Sequence, residues 1–150
     1  MASFKGVSIK INMKKIRLFW IAFFVLTLNL IWEFSHHILY VDLTGIPLIP
    51  HLILASFTDL FLVWFILVLN SILRKNLDWM EKPKKSDYVV ITTLGILIAA
   101  AIEVYSVSRG RWAYTELMPT FLGIGISPLV QLFSTSSISL WLVNKIFNKK

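Results

Sequence analysis

Six side chains in this sequence have the right type for chemistry, and all six stand in or at the edge of apolar runs: Glu33, His36, His37, His51, Asp59 and Glu103. A carboxylate in the hydrocarbon of a bilayer costs at least ~2.5–3.5 kcal/mol on insertion scales, so an acid there faces a partner, a cavity or water. Glu33 and His36 are three residues apart, on one helical face, and form a Glu-x-x-His pair of the kind used in carboxylate–histidine metal sites. Asp59 and Glu103 could complete such a ligand set. Glu33 or Glu103, desolvated, could instead act as the acid toward a lipid-phase substrate. Arg109 and Arg111, beside Trp112 and Tyr114, could hold a phosphate or carboxylate headgroup. The plainest alternative is that Glu33 and Asp59 pair with Arg109, Arg111 or a histidine and only order the fold.

These residues are carried by four apolar runs, at about 18–40, 51–73, 88–107 and 128–147. Each is long enough for the ~20 residues that cross ~30 Å of hydrocarbon. With 57% hydrophobic and 15% charged residues, the chain cannot build a soluble surface. The expected fold is therefore all-α: one integral membrane domain over residues 1–150, a polytopic four-helix bundle. The first run follows a basic start, but it is too long for a signal core and is read as a retained helix. Gly45, Pro47 and Pro50 are expected to break helix between the first two runs. Leu117 to Ile126 is too short to span. It is expected as an interfacial or re-entrant piece between the third and fourth helices.

Orientation follows from lysine and arginine. Five lie in the N-terminal segment (Lys5, Lys10, Lys14, Lys15, Arg17) and five in the middle loop. Three lie at the C-terminal end (Lys145, Lys149, Lys150), against only Arg109 and Arg111 in the other two connections. Both termini are expected in the cytoplasm, in an inner membrane. The net charge of +7 thus belongs to membrane flanks, and nucleic acid is excluded as a partner. No cysteine is present, which removes thiolate chemistry and cysteine metal ligation.

In this orientation every membrane acid and histidine lies toward the outer side. Glu33 is ~10 Å from Tyr40 along a helix, and Asp59 is ~12 Å into its own. The other half of the membrane is expected to lack a buried acid. Asn29, Glu33, His36, His37 and Tyr40 share one stripe. His51, Ala55, Ser56, Asp59 and Asn70 share a second, and Thr92, Gly95, Ala99 and Glu103 a third. Ser127, Gln131, Ser134 and Thr135 form a fourth. Taken together, His36, His37, Asp59, Arg109, Arg111, Trp112, Tyr114 and Gln131 are the expected ligand contacts, with Glu33 and Glu103 as the acids. The expected partners are membrane lipids, a small lipophilic ligand, and a second copy or another membrane protein. The cofactor is left open. His51 is expected to be a headgroup-level residue at a helix start.

The stretch EVYSVSRGRWAY, Glu103 to Tyr114, resembles the helix-end pattern of the small membrane lycopene cyclases: an acid, then V-x-x-G-x-W-x-Y. In that family the segment leads to a proline and paired glutamates. Pro128 is in place, and Val130 and Gln131 stand where those acids are expected. The resemblance implies an acid–base enzyme on a polyene. The longer stretch RGRWAYTELMPTFLGIGISPLVQL is similar to a family of small four-helix bacterial membrane proteins of unassigned function, which implies architecture and no chemistry.

Overall fold

The computed structural model describes residues 13–148. Lys5, Lys10, Lys149 and Lys150, which contribute to the orientation argument, lie outside the described residues. Four helices dominate: α1 (Met13–His36), α2 (Leu48–Arg74), α3 (Lys85–Ser108) and α4 (Ile126–Phe147). All four are long and apolar enough to cross a membrane. They run up and down around a ring. α3 packs mainly on α4, and α1 packs on both α2 and α4, while the seam between α2 and α3 is the thinnest. Met13 and Phe147 share one end, where Arg17 reaches Asn144 and Asn148.

The polar stripes turn inward. Asn29, Ser56, Asn70, Glu103, Gln131 and Thr135 are buried, while Phe19, Phe61, Leu97 and Trp141 face out. This inversion is expected where lipid is the outer solvent and gains nothing from hiding leucine. Gly95 lets α3 cross close to α4. A Cβ placed there would lie 2.9 Å from Phe133 Cβ and 3.0 Å from the Phe133 backbone nitrogen.

The helix bounds correct the sequence reading at three places. Pro50 does not break α2; it sits in the first turn, where its missing N–H has no intrahelical partner to lose. α1 stops at His36 and not at Tyr40. A 3-10 turn over His37–Leu39 leads into β1 (Tyr40–Asp42), which pairs antiparallel with β2 (Trp112–Tyr114). The register is Tyr40 with Tyr114, Val41 with Ala113 and Asp42 with Trp112. The Leu43 N–H to the Arg111 carbonyl and the Thr115 N–H to the Leu39 carbonyl extend the pair, both at 3.0 Å. Hydrogen bonding across two connections about seventy residues apart wins over one more helical turn. Thirdly, the piece between α3 and α4 is a hairpin, β3 (Thr120–Phe121) on β4 (Ile124–Gly125). Leu122 and Gly123, both at positive φ, close it as a two-residue turn.

The end of the bundle that holds Met13 is also polar inside, against expectation. Asp87, in the first turn of α3, is 1% exposed. It accepts from the Arg74 guanidinium, from Asn70 Nδ2 at 3.1 Å and from the Lys84 N–H at 2.6 Å. Trp79 closes the layer by donating to Ser71 at 2.8 Å. Asp87 had the appearance of a loop residue because it follows a basic stretch; its acceptors are filled, so this layer is a structural tie.

Candidate functional site: a polar-floored cavity at the strand-paired end

At the opposite end, where β1 and β2 join the two connections, the four helices part around a half-open cavity of about 550 Å³. A buried polar group on its lining is Gln131, 4% exposed, one turn into α4. Gln131 Nε2 faces Asp59 Oδ2 at 2.6 Å, Glu33 Oε1 at 2.8 Å and Asn29 Oδ1 at 3.2 Å. One amide from α4 thus ties acceptors on α1 and α2. It also brings two carboxyl groups to one nitrogen.

Glu103 forms the wall from α3. Tyr114 Oη donates to its Oε2 at 2.7 Å, Trp112 Nε1 donates to Oε2 at 3.3 Å, and Tyr40 Oη donates to Oε1 at 3.3 Å. Every one of these donors lies on β1 or β2, so the strand pair is pinned to α3 through one carboxylate. Tyr114 Oη also accepts the Gly125 N–H at 3.0 Å, which fixes the start of α4. Burial first, then hydrogen bonding to Glu103, pushes the Tyr114 phenol up to about 12. Burial and the Glu103 charge push Tyr40 up as well. Both phenols therefore stay protonated, and stay donors, throughout the neutral range. Tyr114→Phe removes a charge-assisted donor and leaves the Gly125 N–H without its partner. The expected loss is roughly 2–3 kcal/mol of stability, measured as a lower unfolding temperature in detergent. An unchanged temperature would show that the strand pair is held some other way.

The mouth carries Arg111, Thr44, and an ion pair between His51 Nδ1 and Asp42 Oδ2 at 2.6 Å. His51 is thus a partner of β1 and not only a headgroup-level residue. Partial burial raises the Asp42 pKa, but the Thr44 amide, the Thr44 hydroxyl and His51 outweigh it, so the carboxyl titrates below its usual range. A lowered folded pKa makes the Asp42 contribution full above the ordinary value of about 3.9, and it is lost as pH falls through the folded value. Wild type and Asp42→Asn are therefore expected to differ in unfolding temperature at pH 6 and to converge once the pH falls below the folded value. A difference that persists in acid would mean that the latch does not depend on this charge.

The cavity gathers most of the expected site residues. Glu33, His36, His37, Asp59, Glu103, Arg111, Trp112 and Gln131 all line it. Arg109 and Tyr114 do not. Arg109 is exposed and stacks on Tyr105 at 5.6 Å, while Tyr114 acts from behind the wall. His36 Nδ1 bonds to the Trp32 carbonyl at 2.7 Å, and His37 Nδ1 to that of Phe34 at 3.0 Å. Among the described residues the ion pairs are Lys14–Asp78, His51–Asp42 and Arg74–Asp87. Glu33, Asp59 and Glu103 therefore have no arginine, lysine or histidine partner there. No group of three histidine, aspartate or glutamate side chains among the described residues could hold a metal ion. Asp42, Thr44 and the Tyr40 donor were missed by sequence reasoning. Their signal is the three-residue spacing to Gly45, which marks an Asx turn but not what the turn faces.

Comparison of the chain with protein-family models, with curated proteins and with solved structures gives no match.

Proposed function

We propose that this is a small multi-pass membrane protein, with both termini cytoplasmic in an inner membrane, that binds an amphipathic or isoprenoid-like lipid in the strand-paired half of its bundle. The observation that carries the reading is a cavity with an apolar wall and a polar floor. Leu52, Leu62, Ile102 and Leu132 supply the wall, and Gln131, Glu33 and Asp59 the floor. Its volume of about 550 Å³ lies within the usual range for small-ligand sites. Leu54 and Thr58 of α2 line it while remaining exposed. The opening thus runs along the thin α2–α3 seam, on a surface that faces lipid. A lipid could enter sideways with its head toward Gln131 and its tail toward the seam.

Mass spectrometry of organic extracts tests this. Wild type is expected to carry an amphiphile at near-stoichiometric amount, and Ala55→Phe, which fills the cavity from α2, is expected to lose it. Equal amounts in both would remove the proposal.

A second reading, acid–base catalysis on a lipid-phase substrate, is supported by the Glu33–Asp59 pair. Both acids line the cavity, whereas both oxygens of Glu103 are occupied by donors. Incubating the co-purified lipid with wild type and with Glu33→Gln separates the readings: a product formed only by wild type favours catalysis, and no product favours binding.

A further inference from the structure

We propose that the headgroup taken by this cavity is a protonated amine, so that the ligand is a cationic amphiphile. The inference rests on the lipid-binding reading above and adds the sign and hydrogen-bonding character of the head. It comes from a shortage of donors at the floor. Gln131 Nε2 has two hydrogens and three acceptors within 3.2 Å. No N–H group among the described residues reaches Gln131 Oε1, and Nε2 is the N–H that the Glu33 and Asp59 carboxyl groups, hydrogen-bonded to each other, both face. Gln131 is more than nine-tenths buried and lines the cavity, so its carbonyl oxygen is an unmet acceptor beside two carboxyl groups.

His36 adds to the shortage. A carbonyl only accepts, so the Nδ1 hydrogen is committed to Trp32, and Nε2 is an acceptor whenever the ring carries a single hydrogen. The occupant can supply further donors. An ammonium brings three N–H groups and no acceptor, which suits a floor of carboxyl and amide oxygens. A hydroxyl brings one donor and more lone pairs. A carboxylate or phosphate brings only acceptors and a charge of the same sign as the floor.

Charge agrees with this count. The lining holds Glu33, Asp59, Glu103 and Asp42, against Arg111 at the mouth, and Asp42 is already paired with His51. Low-dielectric walls strengthen the attraction of a cation to the floor. The mouth arginine therefore does not make this an anion site, although a phosphate or carboxylate held by Arg109 and Arg111 is one of the readings the sequence leaves open.

The test uses three probes of one chain length, dodecylamine, dodecanol and laurate. Each is titrated calorimetrically into the protein in zwitterionic nanodiscs, with empty discs subtracted. Dodecylamine is expected to bind saturably and roughly tenfold more tightly than dodecanol, with laurate weakest. Asp59→Asn is expected to reduce the preference for the amine while leaving dodecanol binding in place. The wild-type ranking stands as a test by itself if that variant does not fold. Dodecanol or laurate binding as tightly as the amine would overturn the amine assignment and leave the lipid-binding reading intact. No saturable binding of any probe would overturn both.

Discussion

Gln131→Leu is expected to be the most damaging single substitution in the cavity. It deletes the N–H donor that faces both Glu33 and Asp59 among the described residues, and strands three acceptors on two other helices. Leaving a buried polar group unmet costs about 1–3 kcal/mol, and more for a charged one, so a total of roughly 3–5 kcal/mol is expected. The readout is the unfolding temperature in detergent, together with loss of any bound amphiphile. A triple change, Gln131→Leu with Glu33→Leu and Asp59→Leu, separates stability from function. Replacing a whole buried polar group with packed apolar residues is often neutral or stabilising. The triple variant is therefore expected to regain much of the lost stability and to stay unable to bind. If Gln131→Leu alone melts like wild type, the amide is not the tie between α1, α2 and α4.

Gly95→Ala is the second large effect, and its sign is decided by two opposing magnitudes. Alanine gains about 1 kcal/mol over glycine in a helix interior. The new Cβ, however, would meet Phe133 Cβ at 2.9 Å, its nitrogen at 3.0 Å and its Cα at 3.1 Å. Two of those three atoms are backbone of α4, so no rotamer change relieves the contact and the helices must separate. Overpacking of this kind costs typically 1–3 kcal/mol, so a net loss is expected, and it should grow in Gly95→Val. Phe133→Ala should not rescue it, because the backbone atoms remain. A stabilised Gly95→Ala protein would mean that α3 and α4 cross further apart.

Which parts were legible in the sequence follows from the length of the signal each one leaves. The helices are marked by runs of twenty or more apolar residues, and the inward stripes by polar residues at steps of three and four. Lipid removes the competing pressure to place polar groups outside, so Asn29, Glu33, Asp59, Glu103 and Gln131 could be assigned a common direction. The β1–β2 pair leaves almost no local trace. Tyr40–Asp42 and Trp112–Tyr114 are three residues each, too short to show a period of two, and they lie in separate connections. Without that pairing, the donors to Glu103 could not be known. Glu103 therefore read as a candidate acid when its oxygens are in fact occupied by Tyr40, Trp112 and Tyr114. Asp87 was hidden for a similar reason: its partners Asn70 and Arg74 lie across a basic turn that resembles ordinary solvated loop. Gln131 was legible as an inward-facing contact, and as a neutral residue where a comparison family has an acid. Its role as the tie between helices needs three-dimensional contacts to appear.

The proposed site at the strand-paired end would hold one amphiphile per chain. Native mass spectrometry of the protein released from nanodiscs, with dodecylamine supplied at increasing concentration, measures this directly. A single adduct that saturates at one per chain is expected in wild type and is expected to be absent from Ala55→Phe. A ladder of adducts that grows without saturation, identical in the two proteins, would contradict it.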